Sequence, residues 1–397
     1  MSVAQILAPA SEAEAAEIIG ASRRAGTPLS IDGGGTRAGL GRPVQAAATL
    51  STRALTGITL YEPDEMVIAA RAGTPLRLIE ETLAASGQML AFEPMDHRPL
   101  YGTTGEPTIG AIAACNISGP RRIQAGAARD SLIGLRLVNG MGETIKSGGR
   151  VVKNVTGLDL VKLNCGAHGT LGFLTEVTFK VLPRPDVSAT LALRGLDDAR
   201  AVAALSAALG SPFEVSGAGH LPAGLAGGDA LTLLRLENFA ASVAYRMDAL
   251  RQTLAEFGKA EALAEAEAAH LWQDIRDARF FAVPSPLAVW RISAAPSRAP
   301  LIVAAIARSL AAKHFYDWGG GLVWLACAAS GDAGAVVIRA ALGGQGHATL
   351  VRAPEAVRAA VDVFEPLAAP VMRLTKGIKA SFDPDRALNP GRMYAGM

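Results

Sequence analysis

Apolar positions in the first 180 residues fall into short runs with two different periods. Behind Ser11, with Glu14 three residues on, the segment AEIIGASRRAG spaces its apolar residues for a helix that closes at Gly26, with Ser11 and Glu14 as a capping box. TPLSI (27–31), AATLST (47–52) and MVIAARAG (66–73) are short and β-rich and read as strands. Thr74-Pro75 then opens a helix over LRLIEETLAASG, with Thr74 as cap and Pro75 at the first helical position. Between 107 and 180 glycines recur among the β-rich runs LIGLRLVNG, GETIKSGG and LGFLTEVTFKVLP, so loops rather than helices carry the information there.

Pro183-Arg184-Pro185 is a stiff break, and the texture changes after it. Strand ATLALRG, helix LDDARAVAALSAALG and strand FEVSGAG lead into strand ALTLLRLEN and helix FAASVAYRMDALRQTLAEFG. LAVWRIS, APLIVAAIARSLAAK and GLVWLACAA repeat the strand–helix–strand order. Such alternation predicts a sheet with helices on one face. The tail KGIKASFDPDRALNPGRM is punctuated by Pro and Gly and is no natural third domain. The expected organisation is α+β: a first domain over 1–185, an α/β domain over 186–365, and a terminal segment over 366–397.

Composition narrows the partners. The 397 residues are 50% hydrophobic and 19% charged with a net charge of +2, which excludes a disordered chain and gives no basic stripe for nucleic acid. Cys115, Cys165 and Cys327 are scattered and lack the spacing of a disulfide framework, a zinc site or an iron–sulfur cluster. The acidic N-terminus has no basic n-region, so no signal peptide is expected, and no apolar run spans a bilayer. A cytoplasmic chain is the expectation. Mean hydropathy of +0.27 is high, which an Ala-rich core or a covered subunit interface explains.

Five glycines crowd DGGGTRAGLG (32–41). A Walker loop is excluded because no Gly-Lys-Ser/Thr follows. A nicotinamide-binding turn must open a helix, yet Arg42-Pro43 and RPVQAAATLST follow without helical periodicity. A bare turn and an anion-binding nest of backbone N–H groups, helped by the Thr36 hydroxyl, both remain.

Two further segments, PTIGAIAACNISGPRR (107–122) and GAHGTLGFLTEVTFKVLP (166–183), follow the loop in order. Together the three resemble the FAD-binding domain of the vanillyl-alcohol oxidase superfamily, the PCMH-type fold, through residues 1–185. The resemblance implies a two-subdomain FAD-binding domain with an α/β cap domain, whose first loop wraps the pyrophosphate: Gly33, Gly34, Gly35, Thr36 and Arg37, with Gly39 nearby. It carries over Pro107, Thr108, Gly110 and Ala113 along the diphosphate and flavin. The GTLG turn contributes Gly169, Thr170, Gly172, Phe173 and Leu174, and Asn389-Pro390-Gly391 returns to the flavin domain. Some members attach the flavin through a first-loop histidine; GGGTR has none, so the implied FAD is non-covalent.

SGPRR, RDSLIGL, GGRVVKNVTGLDLVKL, KHFYDWGGGLVWL and FDPDRALNPGRM look most like the branch of small FAD-binding subunits of bacterial glycolate oxidases. That branch implies a complex with a larger FAD-containing subunit and an iron–sulfur subunit, acting on a small 2-hydroxy acid and meeting the inner face of the membrane only through the complex. Related large subunits carry a metal-binding HxGDGN stretch. Here His97, His168, His220, His270, His314 and His347 stand apart and none precedes GDGN, so no metal site is expected, although His168 lies inside the flavin turn. Arg121, Arg122 and Arg291 have the fork geometry to hold a carboxylate. Phosphate or solvent contacts for Arg121 and Arg122, and a structural ion pair for Arg291, are the plainer expectation. Trp290, Trp318 and Trp324 are expected in the core or an interface.

Overall fold

The computed structural model describes residues 5–149 and 158–397. Residues 150–157, which include most of the GGRVVKNV stretch, lie outside the described residues. The first helix runs Glu12–Ala25; Ser11 accepts the Glu14 amide, and Gly26 closes the helix at φ +63°. Glu14 reaches back to the Ala10 amide rather than to that of Ser11, so the reciprocal half of the capping box is shifted by one residue. The second helix departs from expectation. It runs Leu76–Ala85 with Pro75 as the residue before it, while the Thr74 hydroxyl is spent on the Arg71 carbonyl.

Two larger sheets come from the N-terminal half, beside a two-stranded pairing of Gln88–Met89 with Leu182–Pro183. A parallel three-stranded sheet has the order Gln5–Leu7, Ala48–Ser51, Leu29–Asp32. A five-stranded antiparallel sheet has the order Ile58–Glu62, Val67–Arg71, Gly172–Lys180, Leu132–Asn139, Thr144–Gly148. Ala15 and Ile19 of the first helix pack with Leu29, Leu50, Val138 and Phe173, and Leu388 from the far end of the chain joins them.

An eight-stranded antiparallel sheet follows, in the order Glu261–Ala262, Val187–Arg194, Leu231–Asn238, Gly217–Leu221, Ala312–Asp317, Leu322–Ala328, Leu287–Ala294, Gly346–Arg352. Side chains alternate across it. Leu191, Leu193, Leu234 and Leu236 meet helices Asp198–Leu209 and Ala240–Thr253, and Trp290, Ile292 and Leu325 meet Ala299–Ala307 and Ala335–Leu342. Val289, Phe315, Trp324 and Val351 point the other way, into one continuous core with Leu76, Ile79, Phe92 and Ile109 of the N-terminal half. Burial on both faces explains why these strands read as unbroken apolar runs rather than alternating ones. The strand expected at FEVSGAG lies slightly later, at Gly217–Leu221, and the tail holds a helix that its punctuation hid, Ala369–Phe382.

Four charges lock the eight-stranded sheet to the N-terminal half. Arg121 meets Glu237 at 2.7 and 2.8 Å and Glu93 at 3.4 Å, while Arg235 meets Glu93 at 2.9 Å. Arg121 is therefore a structural cation: its side chain keeps 19% of its surface in solvent, and its charge is answered by two carboxylates. Burial pushes the Glu237 carboxyl up, but the Arg121 hydrogen bond and the charges of Arg235 and Arg121 outweigh it and hold the group at about 2. A folded value below the unfolded one contributes stability above about pH 4.5, lost as pH falls towards about 2. Arg121→Met is expected to cost about 3–5 kcal/mol at neutral pH. Urea unfolding checks this: the gap to wild type narrows at about pH 3, and equal stability at neutral pH contradicts it.

Candidate cofactor-binding site

Two glycine loops interleave at the edge of the parallel sheet. A Cβ on Gly34 would lie 1.8 Å from the Glu106 carbonyl oxygen, and one on Gly105 1.8 Å from that of Gly34. A Cβ on Gly33 would meet the Thr108 side chain, and one on Gly110 the Cβ and carbonyl oxygen of Ala72. Gly34 and Gly105 thus serve backbone-on-backbone packing, and Gly33 and Gly110 make room for close neighbours. Gly35 differs: it has φ +76°, its nearest neighbour for a Cβ is Asp32 at 3.8 Å, and it faces open space. Its amide is held by the Asp32 carboxylate at 2.9 Å, whereas those of Gly34, Thr36 and Arg37 find no acceptor among the described residues.

Beneath the loop lies a cavity of about 320 Å³. Of the residues named from the sequence, Gly33, Gly34, Gly35, Thr36, Arg37, Gly110, Gly169, Gly172, Leu174 and Asn389 line it. Gly39, Pro107, Thr108, Ala113, Thr170 and Phe173 do not. Gly39 packs on the Tyr101 ring, the Pro107 carbonyl accepts the Leu76 amide, and Thr108 begins helix Ile109–Cys115, in which Ala113 is fully buried. The Thr170 hydroxyl donates to Ala167, and Phe173 belongs to the core behind the sheet. The Asn389 amide is also spent: it donates to the His168 carbonyl and accepts the Ile31 amide, both at 2.8 Å, so it positions the wall.

Several lining residues were not singled out from the sequence: Asp32 and Cys115, which sit inside the quoted segments, and Thr52, Arg358 and Arg392, which come from other parts of the chain. Arg358 reaches in from helix Glu355–Ala360 and donates to the Gly41 carbonyl at 2.8 Å, and Arg42 donates in return to the carbonyls of Ala359 and Val361. Lys379 ties helix Ala369–Phe382 to the wall, donating to Thr170, Leu388 and the fully buried Asp383.

Polar atoms are left waiting. Arg37 Nη1 and Thr52 Oγ1 line the cavity buried and unpartnered, and Thr108 Oγ1, against Gly33, is unpartnered too. An orphaned buried donor costs about 1–3 kcal/mol, so two on residues of one cavity wall, with a third close behind, point to a polar ligand. Arg37 Nε donates to His97 Nδ1 at 3.2 Å; burial, then the Arg37 charge, hold His97 well below its ordinary value and so neutral. Burial lowers Arg37 and Arg392, and it raises Asp32 and the Cys115 thiol. His168 lines the cavity, pushed down to about 3 by burial and then by Arg392. Cations, exposed amides and small residues in this trough fit a dinucleotide with its pyrophosphate on the loop.

Other predicted residues lie elsewhere. Arg122 and Arg291 lie over the Trp318 ring, 4.4 and 4.8 Å from its centroid, and neither guanidinium has an ion pair or hydrogen bond among the described residues. The ion pair expected for Arg291 is not there, and burial followed by the Arg122 charge brings Arg291 down to about 10. His314 and Tyr316 both donate to Asp198 at 2.8 Å, with His220 at 3.4 Å, a cluster on the helix side of the eight-stranded sheet and outside the cavity lining. Among the described residues no three His, Cys, Asp or Glu side chains gather as a metal ion requires.

The fold and the cavity define a flavoprotein of the PCMH type. The model of an FAD binding domain matches residues 3–148. The structure superposes on 4-ethylphenol oxidase from Gulosibacter chungangensis with a TM-score of 0.73 at 13% identity, covering 98% of this chain and 89% of that one. In sequence the chain is 38% identical to the glycolate oxidase subunit GlcE of Escherichia coli over 93% of both, and it belongs to that family of FAD-linked oxidoreductases. The glycolate oxidase subunit GlcD of Bacillus subtilis is 36% identical over 34% of this chain and 27% of its own length. FAD is therefore the cofactor of this chain.

Arg37→Met is expected to weaken FAD binding about ten- to a hundredfold, the worth of a charge-assisted hydrogen bond. Quenching of FAD fluorescence by the apoprotein measures it, with the exposed Arg23→Met as control. Unchanged affinity contradicts the assignment of Arg37.

Proposed function

We propose that this chain is the FAD-holding subunit of a glycolate-oxidising complex, working beside a larger flavin subunit and an iron–sulfur subunit in the cytoplasm, at the membrane's inner face only through that complex. The observation that carries the reading is the trough of orphaned donors around Arg37 in a chain of the GlcE family. Bound FAD supplies two-electron redox chemistry. The chain's own part is to hold the pyrophosphate on the amides of the 33–37 loop, with Arg37, Arg358 and Arg392 supplying positive charge and neutral His97 fixing the Arg37 fork. Oxidation of glycolate to glyoxylate releases two electrons and two protons. The absence of a metal-type side-chain cluster among the described residues supports placing hydroxyl activation on the partner. No helix of the described residues is long and apolar enough to cross a membrane.

One observation favours a second reading. Arg122 and Arg291, both over Trp318 and without ion pairs among the described residues, are two cations that could take a substrate carboxylate, which supports direct oxidation of a 2-hydroxy acid on this chain.

Anaerobic purification of the complex and of the chain alone separates the two. The first reading expects more than one flavin per complex, bleaching of the complex by glycolate, and none with the chain alone. Bleaching of the isolated chain, lost in Arg291→Met, establishes the second. Acid precipitation is expected to release all of this chain's flavin into the supernatant; yellow colour kept in the pellet would show a covalent link, for which Cys115 and His168 of the cavity lining would be the candidates.

A further inference from the structure

Helix Ala369–Phe382 is laid on the protein by one narrow edge. Lys379 is its buried residue, and the half-buried Met372, Thr375 and Phe382 share that edge. Beside the edge runs an apolar stripe left in solvent: Val371 is 47% exposed, Leu374 69% and Ile378 36%. The spacing i, i+3, i+7 is that of a helix face meant to be covered. Gly377 sits in the outward face at a cost of about 1 kcal/mol relative to alanine. A Cβ there would meet nothing within 4 Å, so no packing inside the chain explains the missing side chain. Close approach from outside does.

The stripe borders an apolar groove of about 180 Å³, walled by Leu163, Leu171, Ile378, Tyr394 and Met397. Arg392 lies in the wall between this groove and the cofactor cavity and lines both. The far flank of the helix carries Arg373 and Lys376, exposed and without ion pairs among the described residues, and the helix contains no acidic residue.

We infer that this helix and groove are the docking site for a companion subunit, which lays an amphipathic helix over Gly377, seats an apolar side chain in the groove and aligns carboxylates with Arg373 and Lys376. The inference rests on the reading of the chain as one subunit of a complex. Charge chooses the occupant. A second copy meeting the patch by a two-fold axis would bring cations and apolar residues but no carboxylate to answer them. A bilayer surface meets the basic flank but does not fill a concave groove. Docking here sets the partner against the wall that holds Arg392, next to the cofactor cavity.

The test uses the full chain co-expressed with its flavin and iron–sulfur companions, as wild type, Leu374→Glu/Ile378→Glu and Arg373→Glu/Lys376→Glu. Both double variants are expected to weaken co-elution with the larger subunit at least tenfold while FAD per chain stays at the wild-type level, which shows that the fold is kept. Acid-to-lysine changes on the companion helix should restore the charge-reversed variant. Variants that assemble like wild type overturn the inference and leave the reading of function standing. Intact assembly with lost binding to phosphatidylglycerol vesicles overturns it in favour of a membrane surface. Failure of the wild-type chain to assemble overturns the reading of function, and the docking site with it.

Discussion

The structure depends on the contact of two backbones. Where Gly34 faces Glu106 and Gly105 faces Gly34, no atom larger than hydrogen fits between the chains. That contact fixes the 32–37 loop against the 105–110 loop, leaving the amides of Gly34, Thr36 and Arg37 without acceptors among the described residues. Rigid, prepaid geometry of this kind is what makes a short peptide stretch bind an anion. Loop packing and the proposed pyrophosphate cradle would thus be one feature seen from two sides.

Around this contact, remote parts of the chain are drawn in. Asn389 staples the terminal segment to Ile31 and His168; Lys379 and Asp383 knot the preceding helix to Thr170 and Leu388; Arg358 crosses from the far end of the eight-stranded sheet to Gly41. The cavity is built from residues more than 350 positions apart, such as Asp32 and Arg392. A ligand held there would add a further bridge between these elements, so cofactor affinity and the docking of the terminal segment are coupled.

Local signals in the sequence were readable and distant ones were not. Ser11, Glu14 and Gly26 announced the first helix because caps act within four residues. The β-rich runs became strands because branched and apolar residues suit a covered sheet. Helix Ala369–Phe382 was hidden by Pro370 and Gly377 and by a reversed polarity, with a lysine buried and Leu374 exposed. At the site, the glycine loop was legible as a loop, but Gly39 and Gly35 look alike in sequence. One packs on Tyr101 and the other opens on the cavity, and only the fold tells them apart. Arg358, Arg392 and Thr52 carried no motif, since their role comes from converging rather than from spacing.

The most direct test is the amount of FAD bound per purified chain, compared between wild type and Gly34→Ala. A methyl group at that position has to push Glu106 away and open the loops, which overpacking costs at about 1–3 kcal/mol or more. One FAD per wild-type chain, and a folded Gly34→Ala chain that is nearly colourless, is the expected result. A wild-type chain that takes up no FAD, or a variant that binds it as well as wild type, would contradict the account.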